Sequence, residues 1–431
     1  MNPITGFSKL SKSDKLNYLI NEYLPSSTGA SDLIKSFWQE DQKSQKLFDE
    51  FSENTISNFI FPYGVVPNVL INNRLYAVPM VIEESSVVAA CAKSANFWLK
   101  RGGFKAKVLS TQKIGQVHFY WNGRYDCLQE LFKKYLPELM ALIAPELKSM
   151  ESRGGGLEEI KLKDFTKDEP GLFQFYCLFE TCDAMGANFI NTVLEAIAEN
   201  FKKIVKREFP EDEELLDVVM SILSNYTPDC LVEVSVDCSI EELGGQEYAD
   251  KFIRAIRIAH IDPHRAATHN KGILNGVDAV VLSTGNDFRA VEACAHTFAA
   301  KDGRYRSLTH AWTEKEHFYF RLTMPLAVGT VGGLTALHPM AKISLEMLDN
   351  PSAKDLMKII GSIGLAQNFG AINSLVTTGI QKGHMKMHLM NILNTMNATE
   401  DECQQSISFF QCNTVSHSSV KNFLQTLRNY Q

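Results

Sequence analysis

The amino-acid sequence predicts an α+β protein with a large mixed α/β domain, an inserted ferredoxin-like domain and a small C-terminal helical domain. Two observations lead to this fold class. Between Lys105 and Arg207, β-rich and helical segments alternate in the order of a split βαβ unit. With 431 residues, the chain also exceeds the length at which a single hydrophobic core stops growing, so more than one domain is expected.

The domain boundaries follow from these changes in pattern. We expect the large domain to comprise residues 1–108 and 218–378, with short polar helices over residues 1–52. The inserted ferredoxin-like domain is expected at 109–217, and the C-terminal helical domain at 379–431. We predict a mobile hinge at the start of the C-terminal helical domain, because Gly379 and Gly383 are close together there.

Each segment is assigned from its own hydrophobic spacing. Leu16, Leu19 and Ile20 share one helical face after a cap signal at Ser11. Residues 60–80 are β-rich, and helical spacing returns over 84–99. In the inserted domain we predict strands at 105–109, 116–121, 157–163 and 173–180, with helices at 128–147 and 185–207. Beyond it we predict strands at 232–240 and 279–282, a helix from 288, a glycine-rich bend at 329–333 and an apolar helix at 356–378.

Composition and charge exclude several classes of protein. A formal net charge of −7 and dispersed Lys and Arg residues give no basic surface for nucleic acid. Nine cysteines without a CxxC pair indicate reduced thiols and a cytoplasmic location rather than a disulfide framework. Since we find neither a signal-peptide pattern nor an apolar run of bilayer length, no membrane association is expected.

The most informative stretch runs from Thr268 to Arg289. Its polar residues surround the apolar run 279–282, which we interpret as a buried strand with polar groups at both ends. On this interpretation Lys271 and Asp287 meet in a site. The alternatives are a surface lysine and a helix N-cap, and capping alone would explain Asp287 fully.

Three further segments stand out. Residues 78–89 contain the adjacent acids Glu83 and Glu84, which could also be a solvated pair at a helix start. Residues 183–188, Asp-Ala-Met-Gly-Ala-Asn, lie where a strand passes into a helix; such a junction favours phosphate binding but is also an ordinary tight turn. Residues 379–385 contain His384, which is four residues before His388, a weak metal-ligand spacing.

Together these four segments resemble those of the class II hydroxymethylglutaryl-CoA (HMG-CoA) reductases, from about residue 50 to His388. The resemblance implies a catalytic set of Glu84, Lys271, Asp287 and His384. Lys271 would stabilise the oxyanion, His384 would protonate the CoA thiolate, and a buried Glu84 tuned by Asp287 would donate a proton to the aldehyde.

The resemblance also implies binding residues. Arg265 would bind the substrate carboxylate, because guanidinium groups match carboxylates. Ser86, Asn275 and Gln367 complete the expected substrate set. The expected coenzyme set is Asp183, Met185, Gly186, Ala187, Asn188 and Glu146. Glu146 would favour NADH, whereas Lys148 or Arg153 would favour the 2′-phosphate of NADPH, and the sequence leaves this choice open.

The implied activity is the four-electron reduction of (S)-HMG-CoA to mevalonate and CoA with two NAD(P)H, in the mevalonate pathway. A homodimer or an assembly of dimers is expected, without a metal, with active sites between subunits and a closing C-terminal segment. Two alternatives stay open. One is the same enzyme oxidising mevalonate, and the other is a non-reductive CoA-thioester binder or thioesterase with Cys91 or Cys294 as nucleophile.

Overall fold

The computed structural model of the protein describes residues 3–212, 214–377, 389–411 and 413–429. The chain forms two compact units, Met1–Pro62 and Tyr63–Gln431. Helices and several β-sheets occur together, which confirms the predicted mixed α/β class. The domain boundaries drawn from the sequence stay predictions.

The first unit is helical, as its sequence predicts. Ser11 caps the first α-helix by accepting from the backbone N–H of Asp14. The ammonium of Lys12 lies 2.7 Å from Asp49 and ties the first α-helix to the third. The helices of this unit are α1 (Lys12–Tyr23), α2 (Ala30–Ser36) and α3 (Gln42–Asp49), preceded by a 3₁₀ turn at Phe7–Lys9.

The second unit contains a two-stranded hairpin and a four-stranded antiparallel sheet that belong to one hydrophobic core. The hairpin turns through Asn72 and Asn73, both with positive φ, as a tight type I′ turn requires. The strands of the hairpin are β1 (Tyr63–Ile71) and β2 (Arg74–Val81). Those of the sheet are β3 (Lys105–Val108), β8 (Leu231–Ser239), β9 (Thr309–Glu314) and β10 (His317–Pro325), in the order β3-β8-β10-β9.

Another four-stranded sheet has a separate core. Its elements are β4 (Lys113–Trp121), α5 (Tyr125–Glu151), β5 (Gly156–Asp164), β6 (Leu172–Glu180), α6 (Ala187–Glu208) and β7 (Leu216–Leu223). The strand order β5-β6-β4-β7 is that of a split βαβ unit. The prediction of a strand of this sheet at residues 105–109 is wrong, because β3 pairs with β8 of the other sheet, and the fourth strand, β7, was not predicted. Alternate residues of β4 and β6, among them Phe119 and Phe175, pack against α6 through Phe201.

Helices cover the mixed core of the second unit. They are α4 (Val87–Leu99), α7 (Ile240–Leu243), α8 (Gln246–Ile261), α9 (Pro263–Ser283), α10 (Phe288–Ala299), α11 (Gly333–Leu337), α12 (Pro339–Met347) and α13 (Ala353–Val376). Helix α13 packs against α9, α4 and β8. Gly276 of α9 and Gly364 of α13 allow the close contact: a Cβ on Gly276 would lie 2.9 Å from that of Gln367, and one on Gly364 2.8 Å from Val277.

The prediction of a strand at residues 279–282 is wrong, because these residues belong to α9. Ala279, Val280 and Val281 are all fully buried, so the run is apolar on every side and carries no helical period. A short apolar run of this kind cannot be assigned to a strand or a buried helix from its pattern alone. Lys271 therefore lies in the middle of a helix and not at the start of a strand.

The expectation that no apolar run reaches bilayer length is also wrong. Helix α13 is long and apolar enough to span a membrane, but 78% of its apolar window is buried inside the protein. This is the pattern of a core helix. Towards the C-terminus, residues 389–395 form helix α14, followed by α15 (Glu400–Phe409) and α16 (His417–Asn429). These helices share a small core that includes Leu393, Phe410 and Leu424.

Candidate active site

A cleft of about 420 Å³ lies between α9, α13 and the turn that precedes α4. The wall from α9 consists of residues at helical spacings of three and four, which places them on one face. These residues are Arg265, Thr268, His269, Gly272 and Asn275, with Lys271 at the edge of the same face. Across the cleft lie Glu84, Ser86, Gln367 and Asn368, so the structure brings all four predicted substrate-binding residues together with two predicted catalytic ones.

Lys271 and Glu84 form an ion pair in this cleft. The Nζ atom of Lys271 lies 2.5 Å from Oε2 of Glu84, and Nδ2 of Asn275 donates to the same oxygen at 3.3 Å. The side chains of Lys271 and Glu84 are 60% and 40% exposed, so both charges face the open cleft. The expected arrangement, with Glu84 buried beside a carboxylate, is therefore not present within one chain.

Two other groups in the cleft are free to bind a ligand. Arg265 is half-buried, and burial lowers the pKa of its guanidinium, yet no described residue forms an ion pair or hydrogen bond with it. Ser86 precedes α4 with φ of 74°, a conformation that is uncommon outside glycine, and its hydroxyl does not cap the helix. Among the described residues, a guanidinium without a partner thus lines the same cleft as a hydroxyl that caps no helix, and such groups are suited to bind a carboxylate.

The floor of the cleft contains polar residues that the sequence analysis missed. His269 and Asn368 are almost fully buried between α9 and α13. Burial, followed by the charge of Arg265, lowers the pKa of His269 to about 3, so the imidazole is neutral. The Nδ1 atom of His269 and Oε1 of Gln367 have no hydrogen-bond partner among the described residues, and each such orphan costs about 1–3 kcal/mol. The sequence signal that could have identified His269 as a cleft residue was its position four residues after Arg265, on the same face of a helix.

A second cleft, of about 540 Å³, opens at the N-terminus of α6. Gly186 precedes this helix as its N-cap, with φ of 92° and no side chain to cap it, so no described side chain caps the first N–H groups, which suits them to an anion. The loop around Met185 is packed so closely against Gly329 that a Cβ on that glycine would lie 2.4 Å from the nitrogen of Met185. The cleft is lined by Met150, Arg153, residues 184–189, residues 285–289 and residues 331–335, which join the glycine-rich bend to the start of α11.

Most of the predicted coenzyme residues line this second cleft, but two do not. Met185, Gly186, Ala187 and Asn188 are part of its wall. The carboxylate of Asp183 instead accepts from the backbone N–H of Ala353 at 2.7 Å, which fixes the loop to the start of α13. Glu146 lies on α5, one turn before Met150, and is outside the wall.

Asp287 lies far from Lys271 within the chain. Its carboxylate caps α10 by accepting from the N–H groups of Arg289 and Ala290, as the capping interpretation predicts. Asp287 also lines the second cleft, the coenzyme-side cleft. Lys271 precedes Ser283, the last residue of α9, by about twelve residues, or about 18 Å at 1.5 Å per residue. The structure therefore does not bring Lys271 and Asp287 together in one chain. His384 lies outside the described residues.

One cleft contains a guanidinium without a partner among the described residues, the other lies at a helix N-terminus, and comparison with known proteins identifies the family. The family model for hydroxymethylglutaryl-coenzyme A reductase matches residues 22–389. This chain belongs to the hydroxymethylglutaryl-coenzyme A reductase family. A 3-hydroxy-3-methylglutaryl-coenzyme A reductase of Archaeoglobus fulgidus is 32% identical over 432 residues, covering 99% of this chain and 95% of that protein.

Solved structures agree with this membership. A class II HMG-CoA reductase from Streptococcus pneumoniae, bound to NADPH in open conformations, is 39% identical with a TM-score of 0.73 and covers 87% of this chain and 100% of its own. A second structure of the reductase from the same organism is 37% identical, also with a TM-score of 0.73, and covers 99% of this chain. The resemblance to the class II reductases is confirmed, and the protein is an oxidoreductase of this family.

Proposed function

We propose that this protein reduces (S)-HMG-CoA to mevalonate and CoA at a site completed by two copies of the chain. The observation that carries the proposal is that one cleft contains both the Lys271–Glu84 pair and the guanidinium of Arg265, which has no partner among the described residues. This cleft offers a cation for a carboxylate at one position and a cation paired with a carboxyl group at another. The acyl group of HMG-CoA requires both.

The acyl side of the reaction follows from these residues. Arg265 and Ser86 bind the free carboxylate and so orient the thioester towards Lys271. Reduction of the thioester carbonyl places negative charge on its oxygen, and the ammonium of Lys271 stabilises that charge. Collapse to the aldehyde releases the CoA thiolate, which His384 protonates. In the second reduction Glu84 donates the proton to the aldehyde oxygen.

The second cleft fits a nicotinamide dinucleotide. The free N–H groups at the start of α6 suit a diphosphate, and Met185 to Asn188 allow close approach of the backbone. When bound, the coenzyme supplies the two hydrides of the reaction. Arg153 lines this cleft whereas Glu146 does not, which favours a 2′-phosphate and therefore NADPH over NADH. The similar structure from Streptococcus pneumoniae is bound to NADPH.

A homodimer accounts for the separation of Lys271 from Asp287. With about 18 Å between Lys271 and the end of α9, Asp287 acts on a substrate at Lys271 only if it comes from a partner subunit. An exposed apolar row beside the coenzyme-side cleft, Leu334, Leu337, Met340 and Ile343, is suited to such an interface. We propose that the dimer is cytoplasmic and contains no metal. We also propose that it catalyses the reaction in the biosynthetic direction, towards mevalonate.

The thioesterase alternative lacks support in the structure. Burial raises the pKa of the Cys91 thiol to about 12, and it also raises the pKa of Cys294, so neither forms the reactive thiolate. Both sulfur atoms are buried in the core and line neither of the two clefts. A nucleophilic cysteine would have to be accessible to the thioester carbon.

The test is a spectrophotometric assay of the purified protein at 340 nm with HMG-CoA and either NADPH or NADH. We expect two coenzyme molecules to be oxidised for each CoA released, with NADPH the faster. CoA release in the absence of either coenzyme would refute the reductase and support thioester hydrolysis. Faster oxidation of NADH than of NADPH would refute only the role of Arg153 in coenzyme preference and would leave the reductase function standing.

A further inference from the structure

The hydrogen bonds around Thr309 determine which nitrogen of His269 bears the proton. Nδ2 of Asn368 lies 3.5 Å from the carbonyl oxygen of His269, which only accepts, so Oδ1 of Asn368 faces Thr309. The Thr309 hydroxyl donates its single proton to that oxygen at 3.0 Å. The neighbouring Ser307 hydroxyl donates to the Thr309 carbonyl at 2.9 Å.

Thr309 therefore accepts from His269. Its hydroxyl oxygen lies 2.7 Å from Nε2 of His269, and with its own proton already committed it can only be the acceptor. The neutral imidazole consequently bears its proton on Nε2 and has a bare lone pair on Nδ1. No described residue donates to that lone pair.

The nitrogen with the bare lone pair belongs to a residue that lines the first cleft, the acyl-side cleft between α9, α13 and the turn that precedes α4. His269 lies one helical turn from Arg265 and lines the cleft together with Gln367, whose Oε1 is also buried without a hydrogen-bond partner among the described residues. The donors of the cleft, Arg265, Lys271 and Asn275, are suited to the carboxylate and carbonyl oxygens of a ligand, which only accept. The floor of the cleft instead presents two buried acceptors, Nδ1 of His269 and Oε1 of Gln367, which receive no hydrogen bond from the described residues. The hydroxymethylglutaryl group carries one hydrogen-bond donor, its 3-hydroxyl.

We propose that Nδ1 of His269 accepts a hydrogen bond from the 3-hydroxyl of the acyl group and thereby selects 3-hydroxyacyl thioesters over those without the hydroxyl. This inference rests on the proposed function of the cleft and adds a specificity determinant to it. A buried acceptor that remains unpaired disfavours an analogue lacking the hydroxyl, as in other sites built to bind a hydroxyl group. His269 takes no part in proton transfer here; it positions and selects the substrate.

Two substitutions separate this role from the structural one. In His269→Gln the amide nitrogen replaces Nε2 and keeps the bond to Thr309, but no acceptor remains at the Nδ1 position. In His269→Asn the carbonyl oxygen replaces Nδ1, while the bond to Thr309 is lost. The Gln variant therefore tests selection, and the Asn variant tests packing of the cleft floor.

Calorimetric titration of each protein, without coenzyme, with HMG-CoA and with 3-methylglutaryl-CoA measures the selection directly. We expect the wild-type protein to bind HMG-CoA at least about tenfold more tightly than the analogue. The Gln variant should lose this ratio with little change in Tm, and the Asn variant should keep the ratio with a lower Tm. A Gln variant that keeps the full ratio would overturn the proposal.

The remaining outcomes of the titrations also test the proposal. Equal binding of both thioesters by the wild-type protein overturns the role of His269 and leaves the reductase function standing. Binding of neither thioester by the folded wild-type protein overturns the proposed function of the cleft, and the role of His269 with it. Loss of the ratio in the Asn variant alone would assign selection to the Thr309 side of the ring and refute the proposal.

Discussion

The ammonium of Lys271 and the carboxylate of Glu84 lie 2.5 Å apart, 187 residues distant in sequence, and their pairing needs no contribution from Asp287. Among the described residues of one chain, the acyl-side cleft thus has a cation and an acid in contact but not the second carboxylate, Asp287, that the proposed mechanism includes. Asp287 lines the other cleft, beyond the end of α9. This division has a direct genetic consequence.

Lys271→Ala and Asp287→Ala should complement each other when the two variant chains form mixed dimers. Each variant alone is expected to be inactive, because every site then lacks one group. In a mixed dimer one of the two sites contains both wild-type residues, so random pairing should restore about a quarter of wild-type activity. The measurement is the rate at 340 nm after co-expression of differently tagged chains.

The control for complementation is a chain that carries both substitutions, mixed with wild-type chains. In its mixed dimers every site lacks one group, so these dimers should be inactive. Active mixed dimers in this control, or inactive ones in the first mixture, would contradict a shared site.

Arg265→Met should raise the KM for HMG-CoA by about 10- to 100-fold, the effect of a lost charge-assisted hydrogen bond, with a smaller change in kcat. Since the half-buried guanidinium has no partner among the described residues, its removal should not lower the Tm of the ligand-free protein. Arg257→Met, at an exposed position of α8, is the matched control and should change neither value. A lower Tm with an unchanged KM would show that Arg265 is structural.

Gly276→Ala and Gly272→Ala should affect stability in opposite directions. A Cβ at Gly276 would lie 2.9 Å from Cβ of Gln367 and 3.1 Å from the carbonyl oxygen of Ile363, so α9 and α13 must separate, at about 1–3 kcal/mol. A Cβ at Gly272 meets nothing within 4 Å, and alanine there should stabilise the helix by about 0.5–1 kcal/mol. Urea denaturation measures both, and equal effects would refute the close contact of the helices.

Asp278→Asn should remove a pH-dependent loss of stability. Burial, and next the charge of Glu292, raise the pKa of Asp278 from 3.8 to about 8. A raised folded-state pKa means that the stability from the protonated carboxyl is complete below about pH 4 and is lost as the pH rises through 8. Between pH 6 and 9 the wild-type Tm should therefore fall relative to that of the variant.

Asp302→Asn, at an exposed position, is the control for this pH effect. Its Tm should follow that of the wild-type protein across the same range. Parallel curves for the wild-type protein and Asp278→Asn would show that Asp278 is ionised without cost in the folded state.

Three of the four strands of the inserted sheet, β4, β5 and β6, could be predicted from sequence, whereas β7 was missed. Along β4, Val117, Phe119 and Trp121 are buried while the residues between them are not, and this period of two is visible without coordinates. The helix starts at Ala187 and Phe288 were also predictable from local residues. The helical structure of residues 279–282 was not predictable, since a segment that is buried on all sides shows no periodic alternation of apolar and polar residues.

The cleft was predicted in part. Glu84, Lys271, Arg265 and Asn275 belong to motifs that occur as continuous stretches of sequence. His269 and Asn368 acquire their meaning only from the packing of α9 on α13, which no local pattern encodes. For the same reason, the distance between Lys271 and Asp287 depended on whether the chain between them was strand or helix.

Helix α13 has two roles, since it is the central helix of the large core and also supplies Gln367 and Asn368 to the cleft floor. Residues that we propose to contact the substrate therefore alternate with residues that hold the protein together, on a helix with almost no free surface. A change of acyl preference cannot be made here by altering a loop. Any new preference would have to evolve together with compensating changes in the core, and this constrains how far relatives with this architecture can diverge in the acyl groups they accept.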